Sequence, residues 1–189
     1  MRAIPTIRTA RLTLRAMRLQ DFERFAEIWR DPSVVAHLGG VPWDEPRAWA
    51  SFLRNAGHWQ MVGYGQWAIE PHGTREMVGQ VGFFVDRTDE AASPWPEAGW
   101  MLHPDAQGQG LGIDAVQAAH DWFDRVITGP LTCRILPGND RSDAIARQLG
   151  YHLADPETED DGALQLYLRK TPPGGPRNLL DDCSTRGSM

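Results

Sequence analysis

The segment from His103 to Ala115, HPDAQGQGLGIDA, places Gly108, Gly110 and Gly112 at alternate positions. Glycine costs a chain more backbone entropy than any other residue, so three in such close order mark a turn that something approaches closely. Behind them Ile113, Val116, His120, Phe123 and Ile127 mark one face of a helix. The first N–H groups of a helix lack intrahelical partners and carry roughly half a positive charge. With side chains stripped from the preceding loop, these donors can surround an anion, most simply a pyrophosphate. On spacing alone the alternative is a tight strand-to-helix turn with close packing and no ligand. Two nucleotide motifs fail here. The P-loop GxxxxGK[ST] needs a lysine and a hydroxyl that do not follow Gly112, and the dinucleotide fingerprint GxGxxG meets Ile113 at its third glycine.

The elements that must hold this turn can be read from periodicity. Arg11 to Ala16 alternates, with Leu12, Leu14 and Ala16 on one side, as a half-buried strand does. Phe22, Phe25, Ala26 and Trp29 fall on one helix face, ending near Asp31-Pro32. Trp49, Phe52, Leu53 and Ala56 repeat that spacing behind Asp44, an N-cap, with Pro46 in the first turn. Gly65–Glu70 and Met77–Val85 read as strands joined by a turn-rich Pro71-His72-Gly73-Thr74. Ala91 to Pro96 is a loop, and Ala98–His103 is a strand running straight into the glycine turn. Gly129-Pro130 breaks the long helix; Leu131–Leu136 is a strand, Asp140–Leu149 a short helix stopped by Gly150, and Leu164–Leu168 a last strand. This order gives one α+β, or mixed α/β, domain with a βαβ unit around the turn.

Size and charge bound the function. A chain of 189 residues is about one domain, and 41% hydrophobic with 23% charged residues suits a globular protein. A formal net charge of -6 argues against a nucleic-acid partner. No apolar run approaches the roughly 18 residues that span a bilayer, and the arginine-rich start lacks the apolar core of a secretory signal. Cys133 and Cys183 read as free thiols of a cytoplasmic protein. The acidic run Asp155 to Asp161 reads as a solvated loop, and the Pro-, Gly- and Ser-rich tail 171–189 as a flexible end.

One pattern does fit the turn. Gln107-x-x-Gly110-x-Gly112 resembles the Q/R-x-x-G-x-G/A signature of the GNAT superfamily of acyl-CoA-dependent N-acetyltransferases. Glu97-Ala98-Gly99-Trp100-Met101-Leu102-His103-Pro104 is similar to that family's E-x-G-Y/W-x-L-x-P strand. Asn139-Asp140-Arg141-Ser142 through Gln148-Leu149-Gly150-Tyr151 is similar to its N-x-x-S…K-L-G-F segment, with Gln and Tyr in place of Lys and Phe. The opening Arg11-Leu12-Thr13-Leu14-Arg15 resembles the R-L-x-L-R start of the branch that acetylates ribosomal-protein N-termini. In order, these segments cover residues 8–170.

The resemblance implies a mixed, mostly antiparallel sheet with one splayed parallel pair and flanking helices, acetyl-CoA as co-substrate, and no metal. It implies that the main chain of Trp100, Met101 and Leu102 bonds the pantetheine arm. The N–H groups of Gln107, Gly108, Gln109, Gly110, Leu111 and Gly112 would bind the pyrophosphate, and Asn139 would meet the arm from the other side or cap its helix. The tyrosine many members use as final acid, seven residues after the asparagine, is here Ala146. The ribosomal branch offers a serine near the thiol instead, matched by Ser142, while Glu97 is the candidate base, through a water. His103 takes a structural or phosphate-edge role. The acceptor is an amine, either a protein N-terminus or a small molecule, and the protein is a monomer or homodimer. A CoA-binding sensor without turnover is the alternative that Ala146 favours, and a catalytically silent interaction domain would leave the glycine turn as mere packing. Among eight tryptophans, Trp29, Trp49 and Trp122 read as core, whereas Trp43, Trp59 and Trp95 are available to an acceptor pocket.

Overall fold

The computed structural model describes residues 3–85, 93–154 and 163–170. The strands are β1 (Ile7–Arg8), β2 (Leu12–Arg15), β3 (Gln66–Pro71), β4 (Gly79–Phe84), β5 (Glu97–Leu102), β6 (Leu131–Ile135), β7 (His152–Leu153) and β8 (Gln165–Arg169). The helices are α1 (Phe22–Arg30), α2 (Pro32–Val35), α3 (Glu45–Val62), α4 (Leu111–Val126) and α5 (Asp140–Gln148). The strands form one sheet in the order β1-β2-β3-β4-β5-β6-β8-β7. Every pair is antiparallel except β5 with β6, which α4 connects. This is the mixed sheet that the resemblance implies. Among the described residues no helix is long and apolar enough to cross a membrane.

Three small elements escape the periodicity reading. β1 and β7 are two residues long and carry no detectable period. Asp31-Pro32 closes α1 as expected but also opens α2: Asp31 accepts from the Ser33 N–H at 2.8 Å, and Pro32 sits where a helix needs no donor. α3 begins as read, with Asp44 accepting from the Arg47 N–H at 3.0 Å. The acidic run 155–161, residues 91–92 of the loop and the tail lie outside the described residues.

The two sheet faces carry different layers. On one, Leu12, Leu14, Trp67, Ile69, Val81 and Phe83 pack with α4 residues Ala115, Val116, Ala119, Trp122 and Phe123 into the main core. On the other, Ala68 and Met77 meet Phe25, Ala26, Ala48 and Phe52 of α1 and α3. That second layer corrects the half-buried reading of β2, whose Thr13 and Arg15 are buried too. Arg15 is satisfied there by a fork to Asp21 at 2.7 and 2.8 Å, and its Nε reaches Glu70. Removing one member of such a buried pair costs about 3–5 kcal/mol, so this network pins the start of α1 to the sheet.

His120 of α4 lies wholly inside the main core. Its Nδ1–H donates to Val116 O at 2.7 Å, and the Tyr151 hydroxyl donates to its Nε2 at 2.8 Å. Burial pushes the imidazole down to about 4, with Arg169 acting in the same direction. Unfolded histidine titrates near 6.5. The stability that neutral His120 contributes is therefore full above about pH 6.5, and it is lost as the pH falls, completely once it passes below about 4. His120→Gln removes that titration. Its urea midpoint is expected to fall less between about pH 7 and pH 4 than the wild-type midpoint; parallel curves would contradict the assignment.

Candidate functional site

β5 and β6 share a single registered pair, Glu97 with Thr132. The Thr132 N–H bonds Pro96 O at 2.9 Å there, and beyond that point the strands diverge. Register decides which β5 groups face the opening. The His103 N–H donates to Val78 O at 2.8 Å, so by alternation Met101 pairs with Gln80, while Trp100 and Leu102 direct their N–H and C=O to the far edge. The Met101 carbonyl points at β4, beside Gly79. Trp100 and Leu102 are thus where an extended arm could add as a strand. Met101 is not: its main chain is committed to β4, and its side chain packs with Ile28, Val34 and Trp29.

A cavity of about 1190 Å³ occupies this divergence. One wall is the splayed strands, with Glu97 to Leu102 facing Cys133, Arg134 and Ile135. At the C-terminal end of β5 the wall becomes the glycine turn. Gly108 and Gly110 hold φ of +75° and +73°, left-handed values that favour glycine. Among the described residues, no acceptor exists for the N–H groups of Gly108 through Ile113. Gln107 differs, because its N–H is taken by Pro104 O at 3.0 Å. Its side chain instead ties the turn together, donating to Leu102 O at 3.1 Å and accepting from Arg141 Nη1 at 3.2 Å. Gln109 ties back to Asp105 O at 2.9 Å, and the Leu111 side chain enters the core. A row of unpartnered donors on a turn without side chains fits a phosphate group.

Asn139 accepts from the Ser142 N–H at 3.3 Å and so caps α5, while also lining the cavity. Ser142 lines it as well, and its hydroxyl makes no hydrogen bond among the described residues. Glu97 stands at the closed end of the splay, 3.8 Å from Arg134 Nε, with its side chain 17% exposed. Ala146 is buried in the main core and does not reach the cavity. Burial pushes the Cys133 thiol far above its ordinary range, with Glu97 and Asp143 adding to the shift. It is therefore an inert thiol despite facing the cavity. His103 caps the short turn Pro104–Ala106, its Nδ1 accepting from the Asp105 N–H at 3.3 Å.

The opposite wall comes from α1 to α3. Trp29 and Trp43 stack at 3.5 Å and 6°, both lining the cavity, with the Arg47 guanidinium 4.7 Å from the Trp43 ring. Trp59, expected near a loop, is instead a core residue of α3, packed edge-on to Trp67 and Trp122. Its signal was present, since Trp59 follows Phe52 by seven residues on the same face. Trp95 is exposed and lies off the cavity. Sequence reading missed the polar lining of Ser51, Asn55 and His58, spaced along one α3 face, and Gln66 and Gln80 on the sheet. His58 is fully engaged: its Nδ1 meets Tyr64 O at 3.0 Å, and its Nε2 accepts from the Val85 N–H at 3.0 Å.

Residues 11–152 match the family model described as Acetyltransferase (GNAT) domain. The chain belongs to the GNAT acetyltransferases. Relatives include an uncharacterized N-acetyltransferase p20 of Bacillus licheniformis, 25% identical over 86% of this chain and 93% of its own. YkkB of Bacillus subtilis is 26% identical over 90% and 99%. An acetyltransferase structure from Agrobacterium tumefaciens superposes with a TM-score of 0.78 at 29% identity, covering 90% of this chain and 97% of that one. RimL, a ribosomal L7/L12 alpha-N-protein acetyltransferase solved with coenzyme A, shares the fold with a TM-score of 0.68, at 19% identity over 88% and 98%. Acetyl transfer is thus the chemistry of this family, and the splayed GNAT sheet is the frame in which these side chains meet.

Asn139 is expected to hold α5 against β6 through its cap. Asn139→Ala should lower stability by about 1 kcal/mol, read from urea unfolding; an unchanged midpoint would remove the cap from the account.

Proposed function

We propose that this chain transfers the acetyl group of acetyl-CoA directly to a primary amine, within a ternary complex formed in its single 8–170 domain. The observation that carries the reading is the run of N–H groups from Gly108 to Ile113 at the end of a strand with an open edge. The donor's pyrophosphate is held at that turn and its pantetheine arm lies along Trp100 and Leu102. When bound, acetyl-CoA supplies an activated thioester carbonyl. The amine enters from the α1–α3 side, where buried Gln80 Oε1 and Trp29 Nε1 have no hydrogen-bond partner among the described residues. A polar acceptor gives such groups a use.

Chemistry requires a neutral amine, formation of the C–N bond, cleavage of the C–S bond and a proton for the departing thiolate. Glu97, at the closed end of the splay, takes the amine proton through a water. Ser142, with its hydroxyl uncommitted, donates to the thiolate. Burial raises the Cys133 thiol pKa and so disfavours it as an acetyl carrier, which favours direct attack over a covalent enzyme intermediate. The R-L-x-L-R start and the shared fold with RimL make a protein N-terminal α-amine the leading acceptor, ahead of small-molecule amines.

A sensor that binds CoA without turnover is the second reading. It is favoured by Ala146, which stands at the tyrosine position and is sealed in the core. Calorimetry with acetyl-CoA, followed by CoA release with a peptide N-terminus and a short diamine, separates the two. An enzyme releases CoA in an amine-dependent way, whereas binding without release supports the sensor. In the enzyme, Ser142→Ala is expected to lower kcat by about 10²–10⁴-fold, as general acid loss does, with acetyl-CoA affinity unchanged. Full activity in that variant would remove Ser142 from the chemistry.

A further inference from the structure

Arg11 lies behind the glycine turn and outside the cavity lining. Its Nη1 donates to Gln109 O at 2.9 Å and its Nη2 to Gly110 O at 2.7 Å. Its Nε lies 3.6 Å from Asp114 Oδ2, the oxygen to which Thr9 Oγ1 donates at 2.8 Å. Thr9 Oγ1 also accepts from the Leu12 N–H at 3.1 Å, so the whole arrangement is tied to the start of β2. One planar fork therefore grips two successive carbonyls of the turn, a geometry that lysine's single ammonium does not reproduce.

A trans peptide holds its N–H antiparallel to its C=O. The Gln109 carbonyl shares a plane with the Gly110 N–H, and the Gly110 carbonyl with the Leu111 N–H. Drawing both carbonyls outward to Arg11 turns both N–H groups the other way, toward the cavity that Gly110 and Gly112 line. A carbonyl engaged by a cation also polarises its peptide and strengthens the N–H as a donor. We infer that Arg11 is a positioning residue for anion binding: acting through the carbonyls of Gln109 and Gly110, it aims the Gly110 and Leu111 N–H groups at the pyrophosphate. The inference rests on the CoA reading above.

Two further details agree. A Cβ at Gly110 would sit 3.3 Å from Arg11 Nη2, so a side chain there would push the guanidinium back by a few tenths of an ångström besides straining the φ of +73°. Asp114, in the first turn of α4, would oppose an anion at that helix end, and Arg11 and Thr9 engage the carboxylate that would do so.

The test titrates wild type, Arg11→Met and Arg11→Lys with acetyl-CoA and with S-acetylpantetheine, which keeps the thioester arm but lacks the pyrophosphate. Arg11→Met is expected to lose roughly tenfold or more in acetyl-CoA affinity, the scale of one charged hydrogen bond, with S-acetylpantetheine affinity unchanged. Arg11→Lys, which restores charge without the fork, is expected to fall between. If Arg11→Met does not fold, the lysine variant carries the same comparison of two ligands. Equal losses for both ligands, or unchanged acetyl-CoA affinity, would overturn the positioning role while leaving CoA binding intact. Failure of wild type to bind acetyl-CoA would instead overturn the CoA reading and this inference with it.

Discussion

The parting of β5 from β6 after one shared pair is the constraint on which the rest of the molecule depends. Backbone N–H and C=O groups inside a sheet have to be satisfied, and two strands that separate leave a row of them open. Here that row belongs to Trp100 and the Leu102 N–H, because the opposite edge of β5 is saturated by β4 and the Leu102 carbonyl is taken by the Gln107 side chain. β6 is held in place by β8, which pairs with its whole length on the far side. α4 crosses from one strand to the other, and its N-terminus therefore opens at the mouth of the gap. An open strand edge and a turn of unpartnered N–H groups are consequences of one backbone decision.

The helices on the other sheet face turn this opening into a chamber. Their attachment relies on polar chemistry as well as on apolar packing, since Arg15 joins Asp21 at the entry to α1 with Glu70 of β3. A firm seat for α1 fixes Trp29, and the Trp29–Trp43 stack then fixes the approach to α3. The main core on the opposite face contains its own satisfied polar pair, His120 with Tyr151. The main core nonetheless supplies part of the cavity lining, among it Ala98, Cys133 and Ile135. Cys133 shows how the two meet: it lines the cavity but is kept unreactive by the burial that the core imposes.

Local patterns were legible in the sequence, and long-range ones were not. The glycine turn could be read because its conformation is set by residues adjacent in the chain, whereas which glycines take positive φ, Gly108 and Gly110 but not Gly112, is decided by the fold. The Asp44 and Asn139 caps are equally local. The main chain of Met101 turns to β4 rather than to the open edge because register, not sequence, decides which β5 residues face outward. The full burial of β2 depends on α1 and α3 covering a face whose Thr13 and Arg15 look solvated in isolation. Arg11 reaches carbonyls 98 and 99 residues away, a partnership that no spacing rule can contain. The polar cavity lining escapes sequence reading for the same reason, because Gln66 and Gln80 face the cavity only once the sheet and helices have assembled.

The central claim is that the donor arm completes the sheet at this parting, and residue-resolved amide hydrogen exchange with and without acetyl-CoA tests it most directly. The account predicts added protection at Trp100 and Leu102 and from Gly108 to Ile113, with Met101, already bonded to β4, changing little. Protection confined to other segments, or a gain at Met101 with none at Trp100 and Leu102, would contradict it.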